Sequence, residues 1–504
     1  MLDDGRGFGR SDGLAVFLSG GTVPGDLVSA KITKVKKNSA EAELVDIIEP
    51  SPDRISSECP YSAECGGCTM RELSYSAQLG LKERQVTDKL TRIAGLENPV
   101  IRPIIGADNL NYYRNKAVFA VGPHGEVGFR HRKSHYVIDV QDCLLQSDPA
   151  MVCADALRAF LKDHPEARPQ ADRNSSGNNR GRKGRGKQQG CQSGTSGITQ
   201  LTIKTAFGTG EVMAVLDAGS PDIPEIDILV EMFDDAVYSL NQDSENGSDS
   251  GDDLAMNAGF AWSLESVAVI ANGKCEILAG KPTITDAITI PAAGSTEAAG
   301  TYKFEIGPQS FYQVNPEQMA KLYAKAAEYA DLTGTETVLD LYCGVGTIGI
   351  TMAGKSERVI GIESVKPAVI DANRNSVING IINTRYIAGK AEDELPVLLG
   401  QKPKMGYDGE NNLVEKKPEL LIDHVDVAIV DPPRAGCDET LLGAIVKSAP
   451  RRVVYVSCDP GTLARDIRFL TESGYRFAEC TPVDQFPWTS HVECVTLLEK
   501  TLNE

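Results

Sequence analysis

The chain contains no run of about 18 apolar residues, the length needed to cross a bilayer, so no membrane span is expected. Its first residues, Met1-Leu2-Asp3-Asp4, are acidic and lead into a Gly-rich stretch with no apolar segment. That start argues against secretion and for a cytoplasmic protein. Positive charge is also short: 51 Lys and Arg stand against 70 Asp and Glu, a formal net charge of −19 over 504 residues. Taken alone, this balance counts against a nucleic-acid partner.

The deficit is local, however. Residues 221–260 carry eleven Asp and Glu and no Lys or Arg, whereas 101–140 are net +3 and 171–190 net +5. Binding depends on charge at the footprint, so the whole-chain value excludes little. The twelve cysteines are clustered rather than evenly scattered. In a cytosolic protein such clustering suggests metal binding or catalysis before disulfides.

The length suits about three domains. Residues 1–52 read as a small β-barrel, with candidate strands at 14–18, 27–35 and 40–48 and a turn at Pro24-Gly25. Four lysines between positions 31 and 37 suit either a phosphate-facing edge or a solvated strand face. Residues 53–305 form a central domain. It holds a helix over 75–96, periodic in Leu79, Val86, Leu90 and Ile93, and β-rich stretches at 100–145 and 198–305. Segments 174–197, 243–253 and 403–418 read as disordered or flexible insertions; the first is basic, either a tether to RNA or a neutral insertion.

From 306 to 504 strands at 337–341, 359–363, 425–431 and 452–457 alternate with helices, which implies a parallel, doubly wound sheet. Asp340-Leu-Tyr342-Cys-Gly344-Val-Gly346 follows the first strand; its glycines permit a tight turn and close approach to a ligand. Glu363 ends the second strand, where an acid grips ribose hydroxyls. These features leave NAD and S-adenosylmethionine both open. The third strand ends in Asp431-Pro432-Pro433-Arg434, a stiff acidic loop for which hydride transfer has no evident use.

The fourth strand runs into Cys458-Asp459-Pro460. A lone cysteine is ordinarily a small buried hydrophobe. This one sits at a strand C-terminus, where open α/β sheets place chemistry. A thiolate there can add to C6 of a uracil and make C5 nucleophilic. Once C5 has taken a methyl group, a base must remove the C5 proton so that the sulfur can leave. Glu493 is the candidate base, although read by itself it is an ordinary surface carboxylate.

Together, Phe311-Tyr-Gln313-Val-Asn315, Asp340-Leu-Tyr-Cys-Gly344, Asp431-Pro-Pro-Arg434, Val456-Ser-Cys458-Asp-Pro460 and His491-Val-Glu493 resemble the RNA uracil-5-methyltransferase family. These are class I enzymes that use S-adenosylmethionine, and the likeness is to the bacterial 23S rRNA branch. It implies a multidomain protein: an N-terminal TRAM (OB-like) β-barrel, a β-rich central domain and a C-terminal Rossmann-like α/β methyltransferase domain. It implies that Gln313, Tyr342, Glu363 and Asp431 contact S-adenosylmethionine, with Asp393 near the adenine. Cys458 is then the nucleophile, Glu493 the general base and 23S rRNA the partner; a monomer is the default expectation.

Cys59-x5-Cys65-x2-Cys68 supplies three thiols, with Gly66-Gly67 as the bend, and spacing alone does not choose between zinc and [4Fe–4S]. The resemblance implies a [4Fe–4S] cluster with Cys143 as fourth ligand. Tyr113-Arg114-Asn115-Lys116 and Arg130-His131-Arg132-Lys133 also match family positions, and suit base stacking and phosphate contact or plain solvated strand faces. TRAM modules of this family have a strand ahead of the Gly-rich segment where this chain begins, so either a misassigned start codon or a barrel short of an edge strand is expected.

Three alternatives remain open here. The tRNA uracil-5 branch generally lacks the TRAM module and cysteine loop. RNA cytosine-5 enzymes place a cysteine directly after Asp-Pro-Pro, where this chain has Arg434. A non-catalytic, cluster-bearing RNA-binding protein would not need the intact site residues.

Overall fold

The computed structural model describes residues 1–2, 5–11, 13–132, 134–171, 195–245, 260–292, 298–407, 413–416 and 420–501. The chain opens with β1 (Gly7–Ser11), β2 (Leu14–Ser19), β3 (Leu27–Lys36) and β4 (Ser39–Glu49), hydrogen-bonded in the order β1-β2-β4-β3. The three expected strands are present. The addition is β1, whose Gly-Phe-Gly sequence carries no apolar alternation and which is held by pairing with β2 from Gly7↔Leu18 to Ser11↔Leu14. The outer strands β1 and β3 do not pair with each other, so the sheet is open among the described residues. Exposed Lys36 on edge strand β3 meets Glu41 at 2.6 Å. Such an exposed pair adds little stability, but a charged edge discourages further strand pairing.

The helix α1 (Tyr75–Arg92) buries Val86 and Leu90 and ends a turn short of residue 96. The central region then contributes β5 (Lys116–Val121), β6 (Val127–Arg130), β7 (Val137–Asp139), α2 (Asp148–Asp163), the short pair β8 (Gln170–Ala171) and β9 (Thr195–Ser196), β10 (Ile198–Thr205), β11 (Glu211–Ala218), α3 (Ile226–Glu245), β12 (Ser263–Ala271) and β13 (Lys274–Gly280). Seven of these strands form one sheet, β13-β12-β11-β10-β5-β6-β7. The region is β-rich but not β-only. Leu157 and Phe160 of α2 and Leu229, Phe233 and Val237 of α3 complete its core.

A hairpin of β14 (Ile284–Pro291) and β15 (Ala298–Ile306) leads into α4 (Pro316–Ala330). The C-terminal domain follows as β16 (Thr337–Leu341), α5 (Thr347–Ala353), β17 (Arg358–Glu363), α6 (Lys366–Ile378), β18 (Thr384–Ala388), α7 (Ala391–Leu398), the hairpin β19 (Lys404–Tyr407) and β20 (Leu413–Lys416), β21 (Val427–Val430), α8 (Glu439–Ser448), β22 (Arg452–Ser457), α9 (Pro460–Glu472), β23 (Tyr475–Val483) and β24 (Glu493–Lys500). Its sheet runs β18-β17-β16-β21-β22-β24-β23; β24 pairs antiparallel with both neighbours, and the remaining pairings are parallel. β16 and β21 are buried along their whole length, as strands covered on both faces must be. Strand order reverses between β16 and β21, which opens a crevice at their C-terminal ends.

The segment 403–418, expected to be flexible, contains the β19–β20 hairpin; residues 408–412 and 417–418 lie outside the described residues. Of the other two insertions, 174–194 and 246–253 also lie outside them, while Glu245 closes α3. No helix of the described residues is long and apolar enough to cross a membrane.

Candidate active site

The crevice is walled by strand ends. Tyr342, one residue past β16, donates its N–H to Ile362 O at 3.0 Å and holds φ +63°, a left-handed conformation costly for a bulky side chain. The chain then turns through Gly344 (φ +55°) and Gly346 (φ +82°) into α5. A Cβ on Gly344 would meet nothing within 4 Å, so the loop faces open space. A Cβ on Gly349 would lie 2.8 Å from Asp340 Oδ2, so α5 packs on the sheet through that glycine. Gly349 N–H donates to Asp340 Oδ2 at 2.9 Å, whereas buried Asp340 Oδ1 has no partner. Glu363, at the end of β17, accepts from Gly344 N at 3.1 Å and Val365 N at 2.7 Å, which aims its carboxylate along the glycine loop. Gln313 is buried, and its carbonyl accepts from Asn115 Nδ2 at 2.9 Å. Asp393 is exposed in the first turn of α7.

Sheet register brings the second group together. Asp431 follows Val430, which pairs with Leu341 on one side and Tyr455 on the other. Ser457 pairs with Cys494, so Cys458 and Glu493 are the next positions on adjacent antiparallel strands. Cys458 sits on a braced elbow. Ser457 Oγ bonds the Asp459 backbone, and Asp459 Oδ1 caps α9 by accepting from Gly461 N at 2.8 Å and Thr462 N at 3.0 Å.

These neighbours titrate one another. Burial pushes the Glu493 carboxyl up to about 8, with Asp431 adding to the rise and Arg434 opposing it. Burial lifts Asp431 to about 7. The Cys458 thiol is pushed up to about 12 by burial, then by Glu493 and Asp431, again opposed by Arg434. Sequence reading missed Arg434 as a member of this group, although it closes the Asp-Pro-Pro motif. Its carbonyl accepts from Thr462 Oγ1 at 3.1 Å, which ties the motif to α9. Its Nη2 lies 3.4 Å from His491 Nε2.

The family model for tRNA (uracil-5-)-methyltransferases matches residues 293–501, and the TRAM model matches residues 3–45. Two relatives described as uncharacterized RNA methyltransferases match along almost the whole chain. That of Halalkalibacterium halodurans is 36% identical, over 99% of this chain and 95% of its own length. That of Caldanaerobacter subterraneus is 38% identical, over 99% and 96%. The chain belongs to the RNA uracil-5-methyltransferase family. The methyltransferase also shares its fold with the Pyrococcus abyssi tRNA (uracil-54, C5)-methyltransferase solved with S-adenosyl-L-homocysteine. The TM-score is 0.65 at 24% identity, covering 98% of this chain and 97% of that one. A tRNA-directed enzyme thus has this architecture from end to end, and the architecture does not separate rRNA from tRNA.

The methyltransferase's four expected cluster thiols, Cys59, Cys65, Cys68 and Cys143, are free and partly exposed. Burial raises Cys65 and Cys68 and takes Cys143 to about 12; the charges of Cys59 and Cys68 add at Cys65, and those of Cys68 and Cys65 at Cys143, so the sulfurs share one neighbourhood. Gly67 N–H donates to Cys65 Sγ at 3.4 Å, a bond suited to a thiolate. Among the described residues, however, no three ligand side chains stand ready around a metal position.

Half-buried Arg132 holds this loop, donating to the carbonyls of Ser62, Cys65 and Cys68 at 2.7–2.9 Å. Tyr113 is buried and donates to Pro487 O at 3.1 Å, so it is a strut and not a stacking platform. Asn115 is buried too, and Lys133 lies outside the described residues.

Proposed function

We propose that the protein methylates C5 of a uridine in 23S rRNA through a covalent bond between Cys458 and C6. The observation that carries the reading is the register that sets Cys458 beside Glu493, with Asp431 on the next strand. Gln313, Tyr342, Glu363 and Asp431 would hold S-adenosylmethionine. The open face of Gly344, the oriented Glu363 carboxylate and the unpartnered Asp340 Oδ1 suit its ribose and amino groups. When bound, it supplies an electrophilic methyl group and a sulfonium charge among these acids.

Cys458 would add as thiolate to C6, and C5 would then take the methyl group as its bond to the sulfonium sulfur breaks, with S-adenosylhomocysteine as the leaving group. Glu493 removes the C5 proton, and the C6–S bond breaks to regenerate the uracil ring. A carboxyl titrating near 8 is matched to proton transfer near neutrality. The four thiols are proposed to hold a [4Fe–4S] cluster; iron and acid-labile sulfide assays on anaerobically purified protein should find four of each, and their absence would remove it. The protein is proposed to act as a cytoplasmic monomer.

The test is trapping. With S-adenosylmethionine and 5-fluorouridine-substituted 23S rRNA fragments, C5 holds fluorine where the proton should leave, so the adduct persists on a denaturing gel. The band should vanish in Cys458→Ala while RNA binding survives. A band with tRNA alone would move the substrate to the second reading, a uridine in tRNA. No band with either RNA would leave a non-catalytic RNA-binding protein.

A further inference from the structure

Glu493 owes its place to the β23–β24 connection, residues 484–492, where Val483 pairs with Glu493 across the turn. This connection is held by residues some 400 positions earlier in the chain. Trp488 has φ +68° and packs with Tyr113 and Leu145, against which Cys68 and Cys143 also rest. Its carbonyl accepts two N–H groups from the cysteine loop, Thr69 and Met70, each at 3.0 Å. Thr69 Oγ1 accepts from Ser490 N at 3.1 Å. The Arg71 guanidinium lies 4.7 Å from the Trp488 ring centroid, a cation–π contact. Thr69, Met70 and Arg71 directly follow Cys68 in the chain. One short stretch therefore grips the backbone three to five residues ahead of the base.

We propose that Thr69 is a positioning residue for Glu493: its hydroxyl fixes Ser490, and through it the start of β24. Ser490 is buried, so its N–H has little access to water if this acceptor goes. A shifted Glu493 would still allow methylation, because that step precedes proton removal, and would slow only release. The inference rests on the proposed uracil chemistry, and it gives Thr69 a signature that general loss of structure does not.

The experiment uses the full chain with RNA containing ordinary uridine and S-adenosylmethionine, read on a denaturing gel beside steady-state kinetics. Glu493→Gln should accumulate a covalent methylated protein–RNA band. Thr69→Val should give the same band more weakly, with kcat down about ten- to a hundredfold and RNA KM unchanged, the scale of a misplacement of about 1 Å. Thr69→Ser should restore turnover without the band, and all variants should bind S-adenosylmethionine as wild type does. Wild-type turnover by Thr69→Val, or a slow variant with no band, overturns the proposal. If Thr69→Val also loses S-adenosylmethionine binding, Thr69→Ala takes its place, removing the same acceptor with a smaller side chain; lack of a band there overturns the proposal equally. A wild-type enzyme that fails to trap 5-fluorouridine RNA removes the uracil reading itself, a failure distinct from these.

Discussion

The Lys82 ammonium and the Asp484 carboxylate meet at 2.5 Å with neither side chain exposed. Lys82 lies on α1 and Asp484 begins the β23–β24 connection, so this pair docks α1 against the connection that leads to Glu493. Lys82 Nζ also donates to Phe486 O at 3.1 Å. Burial lowers the Lys82 pKa and the Asp484 charge restores part of it. Lys82→Met should destabilise the fold by about 3–5 kcal/mol, because it strands a buried carboxylate. Lys82→Met combined with Asp484→Leu should cost clearly less than the sum of the singles. Urea titration of the four proteins checks this, and additive losses would show that the pair does not interact.

Three buried carboxyls should each make stability fall as pH rises from about 4 to about 8. Folded Asp340 and Asp431 titrate near 7 and Glu493 near 8, all raised chiefly by burial. In that window the folded chain keeps protons that the unfolded chain has released. Each carboxyl then contributes a downward slope of at most about 1.4 kcal/mol per pH unit. Glu493→Gln should flatten the curve between pH 5 and 8 in denaturant titrations. An unchanged slope would place the Glu493 titration at its ordinary value.

Much of the candidate site was legible because Glu363, Asp431, Cys458 and Glu493 stand at strand ends, where sequence order fixes spatial order. Asp431, Cys458 and Glu493 each adjoin an apolar strand that announces itself. What was not legible came from contacts between distant segments. Gln78 Oε1 accepts from Trp488 N at 3.0 Å across 410 residues, and no local pattern encodes that bond. Tyr113 and Arg132 looked like RNA-facing residues, but tertiary partners claim both. α3 is a different case. Its Leu229, Phe233 and Val237 recur at helical spacing, but the eleven acids of residues 221–260 surround them and mask that periodicity.

Arg434 should set the reactivity of Cys458. It is the cation that opposes the upward shifts of both Cys458 and Glu493, and its guanidinium is kept near the crevice by the His491 ring. The thiolate is the reactive form. In Arg434→Gln, alkylation of Cys458 by iodoacetamide at pH 8, followed by peptide mass spectrometry, should slow several-fold. The limb of the pH–rate profile that rises with pH should also move to higher pH. Equal alkylation rates in both proteins would show that Arg434 does not reach the sulfur electrostatically.

The two glycines of the β16–α5 loop should fail differently. Gly346 has φ +82°, and an added Cβ would lie 2.6 Å from the buried Tyr386 hydroxyl and 2.9 Å from its ring carbon. Gly346→Ala therefore combines backbone strain of about 1–2 kcal/mol with a clash, and should lower both stability and S-adenosylmethionine affinity. Gly344 has φ +55° and open space around its Cβ direction. Gly344→Ala carries only the strain and should cost about 1 kcal/mol of stability. If that open space is where the cofactor lies, its affinity should fall at least about tenfold, a loss of about 1.4 kcal/mol. Calorimetric titration with S-adenosylmethionine, paired with thermal melts of the ligand-free proteins, separates the two effects. Wild-type affinity in Gly344→Ala would mean that the space above this glycine is not the cofactor's.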